Sequence, residues 1–522
     1  MDDLIPVTLL CGFLGSGKTT LLKHILETKH TEEEFKCAVI VNDMAELNID
    51  KSLIDQTSLI QSDEAMVGMQ NGCICCTLQS DLVEQIIKLT QKKQFNYILI
   101  EASGVSEPHE IAPLFELEDH DHDHDDEEGH VGHDHSKPQL GEVARLDTCV
   151  TLIDSADFHN NLGSMKTYDE CDVVGTIAEL MMDQVEFANV ILLNKTDLVD
   201  EKQQTDIMEK ITLLNPKAKI LKSVHSRINV MDILNTELYT DKEEFWVTST
   251  KHEENAAEAQ ANGKRVPEAC TARFDIKSFV YRARKPFHPG RLNDLFLEPY
   301  FADPIDTLID DEEEEEDEED TRTEEEKRMM ADVKEKELQE LQTLALKKQK
   351  KRDEKMGQLL RSKGFVWIST TNDIMGGWQQ AGNVLRLRAE NPWMCLLEMF
   401  WRGDKNEELV LKDMQKPDGE EYEYKDRRQE VVFIGHGMKS DAIQELLDQC
   451  LLTDEEFALG PEAWKETMEQ FDNIKLFLEE GDDEEDEEAE DENNVDEEDN
   501  VGKLKKMSLK GSEINETLRS TE

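Results

Sequence analysis

Nowhere in this chain do eighteen apolar residues run together, which excludes a helical membrane span. A basic leader is missing as well. Met1-Asp2-Asp3 precedes a short apolar run that glycines between residues 12 and 17 break at once, the pattern of a core strand and not of a signal peptide. Basic residues are scarce beside acids, 58 Lys and Arg against 118 Asp and Glu. The formal charge of -60 repels phosphate backbones and argues against nucleic-acid binding. Cysteine is thin too: ten in 522 residues, three of them in one motif, make no disulfide scaffold and fit a reducing compartment where thiols stay free for metal. These absences leave a cytoplasmic protein, with entry to the nucleus left open, long enough for two or three domains.

The acids are unevenly spread. Nine lie in 116–128, eleven in 310–320 and sixteen in 479–499, more than half of the net charge, so the folded parts are only moderately acidic. The two longer tracts read as solvated, disordered segments. Apolar, strand-like runs at 4–10, 37–41, 97–100, 148–153 and 190–193 alternate with helical patterns at 19–26, 77–92, 172–187 and 202–214. That alternation predicts an α/β module over 1–237, a mostly parallel sheet covered on both faces. Residues 238–270 dissolve into Glu, Ala, Asn and Lys and read as a linker. A smaller α+β module is expected over 271–478, with strands at 273–281, 365–369 and 431–434 and a helix from 289 to 296. It is interrupted at 304–357 by acids and then by a Glu/Lys/Leu/Ala/Met-rich stretch, predicted to be a long charged helix. Its apolar positions are sparse, so the insertion is expected to be exposed and not a coiled coil. The tail, 479–522, reads as disordered; its Lys503–Lys506 cluster is too short to offset the acids before it.

Gly12-Phe-Leu-Gly15-Ser16-Gly17-Lys18-Thr19 follows a strand and opens a helix that continues with Thr20, matching the P-loop pattern. The glycines let backbone amides curl around phosphates, Lys18 neutralises the β and γ groups, and the Thr19 hydroxyl suits magnesium. After the strand ending at Ile100, Glu101 offers a carboxylate to the magnesium shell and Gly104 an amide to the γ-phosphate. Asn194-Lys195-Thr196-Asp197 supplies an amide and a carboxylate suited to guanine, with Asp197 accepting from donors that adenine lacks, so GTP is favoured over ATP. Residues 223–226 complete the base pocket through their amides. No Gln follows Gly104, which predicts slow turnover and leaves Asp43, with Glu46 and Asp50, as candidates for activating water.

Cys73, Cys75 and Cys76 are three soft thiol ligands within four positions, next to Gly72. Zinc, cobalt(II) and copper(I) all suit them, and three ligands are one short of a closed structural site. The fourth position is then open to water, a remote side chain or another protein, as transfer requires. The plain alternative is three buried or redox-active thiols without metal. Residues 119–137 add His120, His122, His124, His130, His133 and His135 among acids, a loop suited to collecting zinc, nickel or cobalt loosely.

The P-loop, Glu101-x-x-Gly104, Asn194-x-x-Asp197 and above all Asn71-Gly72-Cys73-Ile74-Cys75-Cys76 resemble the CobW-type GTPases, whose wider P-loop group also loads nickel into urease and hydrogenase. The likeness is close over 4–235. It continues into that family's C-terminal domain at 284–292, 362–367 and 433–435. The resemblance implies a zinc-regulated, GTP-driven metallochaperone with GTP, Mg²⁺ and Zn²⁺ (or Co²⁺), which hands metal from the cysteines to a client apo-metalloprotein; a homodimer is left open. Several eukaryotic relatives carry a Cys- and Pro-bearing segment ahead of the first strand that docks onto methionine aminopeptidase. Here Met1 leads almost directly into Ile5-Pro6-Val7, and the client is left unidentified. Two other readings compete. A nucleotide-regulated zinc buffer or sensor would keep most metal on the His-rich loop; a signalling GTPase with redox cysteines would turn over indifferently to chelators.

Overall fold

The computed structural model describes residues 4–29, 35–41, 66–68, 79–91, 93–116, 139–170, 173–240, 276–305, 324–403, 407–416 and 418–467. It divides into two compact units, one built mainly from 1–251 together with 304–314, the other from the rest of the chain up to 521. The linker expectation falls mostly at 241–275, outside the described residues, as do the acidic tract at 306–323 and everything from 468 on.

In the first unit, β1 (Ile5–Cys11), β2 (Cys37–Val41), β3 (Met66–Gly68), β4 (Tyr97–Glu101), β5 (Ala144–Asp154), β8 (Val190–Asn194) and β9 (Lys219–Lys222) form one sheet in the order β3-β2-β4-β1-β5-β8-β9. Every pairing in it is parallel. Central strands such as Cys37–Val41 and Val190–Asn194 are buried at every residue, as two-sided cover requires. Alternate side chains feed two separate cores. Leu9, Ile98 and Ile100 join Leu82 and Ile86 of α2 (Gln79–Gln91) on one face. Leu10 and Leu99 join Leu21, Leu22 and Ile25 of α1 (Lys18–Lys29) on the other.

Two strands of this sheet were not foreseen. β3 is three residues long, and β9, Lys-Ile-Leu-Lys, shows an edge strand's partial exposure and flanking lysines instead of a buried run. The helix expected over 172–187 is also shorter. Residues 173–176 pair as β7 (Val173–Thr176) with β6 (Thr167–Glu170), and α3 (Ile177–Phe187) starts only where Thr176 and Glu179 form a reciprocal capping box. The hairpin is extended by Ile305, whose carbonyl accepts from Thr167 N (3.0 Å) and whose amide donates to Met165 O (2.7 Å). An equivalent box at Asp200 and Gln203 opens α4 (Glu201–Leu214).

The second unit is a five-stranded antiparallel sheet: β10 (Ile276–Ala283), β14 (Gln429–His436), β11 (Gln358–Val366), β12 (Ile374–Ala381) and β13 (Val384–Pro392), in that order. Tyr281, Phe287, Phe296, Trp378, Phe433 and Leu447 centre its core, the last from α6 (Ser440–Cys450). Strand β11 begins at Gln358, earlier than expected, and Trp367 beyond its end packs against Tyr424, Phe457 and Trp464.

The long helix exists as expected, α5 (Glu324–Met356), but the expectation of an exposed insertion fails at its C-terminal end. Ala345, Arg352 and Met356, spaced seven and four apart on one face, are buried. Met356 belongs to the domain core. Arg352 lies 5.2 Å over the Phe301 ring and donates to Asn383 Oδ1 at 3.4 Å; burial lowers its pKa to about 10. A side chain counted as solvated in the sequence packs through its alkyl stem and planar head.

Candidate functional site

Because the sheet is parallel, Gly12 after β1, Val41 in β2, Gly68 in β3, Glu101 in β4 and Asn194 in β8 all stand at its carboxyl edge, where α/β sheets bind ligands. The P-loop turns there with Gly12, Gly15 and Gly17 at φ +138°, +74° and +106°. At Gly17 a Cβ would stand 2.5 Å from Asn194 Nδ2, and at Gly12 the same distance from Leu152 O, so neither site admits a side chain. Lys18 Nζ donates to Gly12 O (2.7 Å) and Phe13 O (3.5 Å), which lays the ammonium across the loop. Ser16 is buried; its Oγ has no hydrogen-bond partner among the described residues and borders a cavity of about 70 Å³ lined also by Leu14, Asp154 and Gln184. Thr20 is exposed.

Thr19 Oγ1 donates to Glu101 Oε1 at 2.6 Å, joining the start of α1 to the end of β4. A hydroxyl and a largely buried carboxylate converging in this way fit magnesium, a hard cation that prefers few protein oxygens. Beyond Glu101, Gly104 rests against Leu14 of the P-loop: a Cβ there would meet Leu14 Cδ2 at 2.5 Å and Leu14 N at 3.0 Å.

Asn194 does not face outward. Its Nδ2 donates to Ser16 O (2.9 Å) and Ser226 Oγ (3.0 Å), while its Oδ1 accepts from Ser223 Oγ (3.0 Å) and Ser226 N (2.9 Å). Ser226 Oγ also donates to Gly17 O at 3.0 Å. Asn194 therefore ties the P-loop to residues 223–226, and the exposed Asp197, on the turn Thr196–Leu198, is left to meet a base. Lys195, at φ +57°, forms a 2.6 Å ion pair with Asp154 at the end of β5. Asp154 was not singled out in the sequence; it is the parallel partner of Asn194, a register no motif encodes.

The cysteine motif lies at 69–78, the histidine loop within 117–138 and Asp43, Glu46 and Asp50 within 42–65, all outside the described residues. Among the described residues no three His, Cys, Asp or Glu side chains converge on a metal site. The described cysteines are not substitutes. A hydrogen bond with Cys149 and burial push the Cys11 thiol well up, and burial raises Cys395 and Cys450 to about 12, so these sulfurs stay protonated. No described helix is long and apolar enough to cross a membrane.

Residues 6–222 match the CobW/HypB/UreG nucleotide-binding domain, and residues 334–451 match the cobalamin synthesis protein CobW C-terminal domain. The second match begins inside α5, in accord with the burial of that helix's end. A Dictyostelium discoideum protein named zinc-regulated GTPase metalloprotein activator 1 is 34% identical over 480 residues, covering 89% of this chain and 83% of that one. A Schizosaccharomyces pombe protein of the same name is 31% identical over 45% of this chain and 50% of its own length. The Escherichia coli zinc chaperone YjiA is 30% identical over 47% of this chain and 65% of its own length.

Proposed function

The chain belongs to the CobW/HypB/UreG family of P-loop GTPases and metallochaperones, and from that premise we propose that it binds zinc, or a similar transition metal, at Cys73, Cys75 and Cys76 and passes it to a client apo-metalloprotein as GTP is hydrolysed. One structural observation supports this reading. Val41 of β2 aligns with Gly68 of β3 on one side and with Glu101 of β4 on the other, so the strand that precedes the cysteine motif in the sequence ends two strand spacings, about 10 Å, from the backbone of Glu101, whose carboxylate accepts from Thr19.

In the proposed cycle the P-loop amides and Lys18 hold the phosphates of GTP, Asp197 reads guanine, and Asn194 keeps the two loops in register. Thr19 and Glu101 would hold magnesium, which would supply charge neutralisation to the phosphates. Gly104 presents its amide to the γ-phosphate, and Asp43, which follows β2 in the sequence, would orient the attacking water. Loss of the γ-phosphate relaxes these loops and lowers affinity for the cargo. The histidines at 120–135 act as an accessory collector, and the protein works in the cytoplasm.

The test is to titrate zinc and cobalt into the nucleotide-free, GDP-bound and GTP-analogue-bound protein and into Cys75→Ala. We expect tighter metal binding with the GTP analogue than with GDP, and loss of stoichiometric metal in Cys75→Ala with guanine-nucleotide affinity within a few-fold of the parent. Equal metal affinity in all three states, or an unchanged titration in Cys75→Ala, overturns the proposal. Loss of metal only on deleting 119–135 would instead identify a buffer.

A further inference from the structure

The segment that carries Gly104 is held at both ends, and its far anchor belongs to no nucleotide motif. At the near end Glu101 is bonded to Thr19. At the far end Ser106 O accepts from Gln184 Nε2 of α3 (3.1 Å), and Glu107 Oε1 accepts from the Tyr168 hydroxyl of β6 (2.8 Å). The other Glu107 oxygen stands 3.3 Å from His109 Nδ1. Tyr168 is itself firmly seated: its ring lies so close to Gly175 of β7 that a Cβ there would be 2.6 Å from the phenol oxygen. Burial, then the charge of Glu107, with Asp183 and Glu179 behind it, drives the phenol's pKa upward, so the hydroxyl keeps its proton and donates. The hairpin is braced in turn by its pairing with Ile305.

We infer that Tyr168 is a positioning residue for GTP hydrolysis: through Glu107 it fixes where Gly104 stands against the P-loop, and thereby sets how well the protein distinguishes GTP from GDP. Among the described residues, the side-chain hydrogen bond of Tyr168 goes to Glu107 and not to a phosphate-binding residue. Its influence passes through one hydrogen bond to a carboxylate, a stronger class of bond than a neutral pair. It bears on the loop whose Gly104 amide is suited to the phosphate that GDP lacks. The inference rests on the GTPase chemistry of the family and is independent of the metal-transfer reading.

Tyr168→Phe removes the hydroxyl and keeps the ring against Gly175. In the full chain we expect kcat for phosphate release to fall about tenfold. Affinity for a non-hydrolysable GTP analogue should drop several-fold relative to GDP, with GDP affinity and Tm close to the parent. Glu107→Ala should reproduce these losses, and the double variant should be no worse than either single one. The inference is overturned if Tyr168→Phe keeps kcat and the GTP-to-GDP affinity ratio within twofold, if GDP and GTP affinities fall together with Tm, or if the two substitutions are additive. Metal titration of the same variants should match the parent without nucleotide, which separates failure here from failure of the cargo reading.

Discussion

Replacing Asn194 with Ala tests whether the base-side motif acts mainly as a tie between loops. The side chain is buried and makes four hydrogen bonds of 2.9–3.0 Å, to Ser16 O, Ser223 Oγ, Ser226 Oγ and Ser226 N. At a net ~0.5–1.5 kcal/mol each, their loss costs about 2–5 kcal/mol, taking the partners as partly rescued by water. In a domain of this size that lowers Tm by roughly 5–15 °C, readable by calorimetry of the nucleotide-free protein. Because Ser16 sits in the P-loop and none of the four bonds involves Gly104, GDP and GTP-analogue affinities should weaken by the same factor, at least about tenfold by calorimetric titration. Loss of GTP binding with GDP binding intact would refute the reasoning. So would an unchanged Tm, which would mean that the bonds contribute nothing to the fold.

Glu101→Gln preserves an acceptor for Thr19 Oγ1 but deletes the charge, so half-saturating Mg²⁺ for GTP hydrolysis should rise at least about tenfold with Tm little changed; an unaltered Mg²⁺ titration would remove Glu101 from the magnesium shell. In the second unit, hydrogen bonds from Arg291 depress Glu456 from 4.5 to about 2. A depressed carboxylate stabilises the fold above pH 4.5, and that stabilisation is lost as pH falls from 4.5 towards 2. The Tm gap between the parent and Glu456→Gln should therefore narrow over that acid range, and a gap that widened on acidification would contradict the assignment.

The legible part of this chain is the part whose physics is local. A buried parallel strand must be apolar throughout, so β1, β2, β4, β5 and β8 announce themselves, and the P-loop is spelled by glycines that no other residue can replace at Gly12 and Gly17. What escaped notice depends on partners far away in sequence. Strands β12 and β13 mix glycine, glutamine and arginine with apolar residues and gain their identity only from each other and from β11. Arg352 looked solvated because composition does not reveal that Phe301 lies beneath it. Asn194 carried the right motif, but its four partners come from the P-loop and from residues 223–226, so its tying role could not be read from the motif alone. Tyr168 had no motif at all, and only the hairpin brings it to Glu107.

The register that aligns Gly68, Val41 and Glu101 also sets a scale for how strongly nucleotide and cargo can influence each other. For a cation as far from the γ-phosphate as Gly68 is from Glu101, about 10 Å, each unit of charge contributes ~1.7 kcal/mol at an effective dielectric of about 20. That is slightly more than one decade in affinity. The sign is fixed by the charges: the γ-phosphate adds negative charge that favours a bound cation, and its departure weakens the hold. For the divalent cargo proposed above the effect doubles to ~3.3 kcal/mol, so in the proposed cycle electrostatics alone would supply a release of roughly two decades on hydrolysis, enough to bias the proposed handover. A larger change requires the loops to alter the ligand set itself. The anchors on either side of Gly104, Thr19 at one end and Tyr168 at the other, tie that segment to the start of α1 and to the β6–β7 hairpin, the two elements through which such a change would spread.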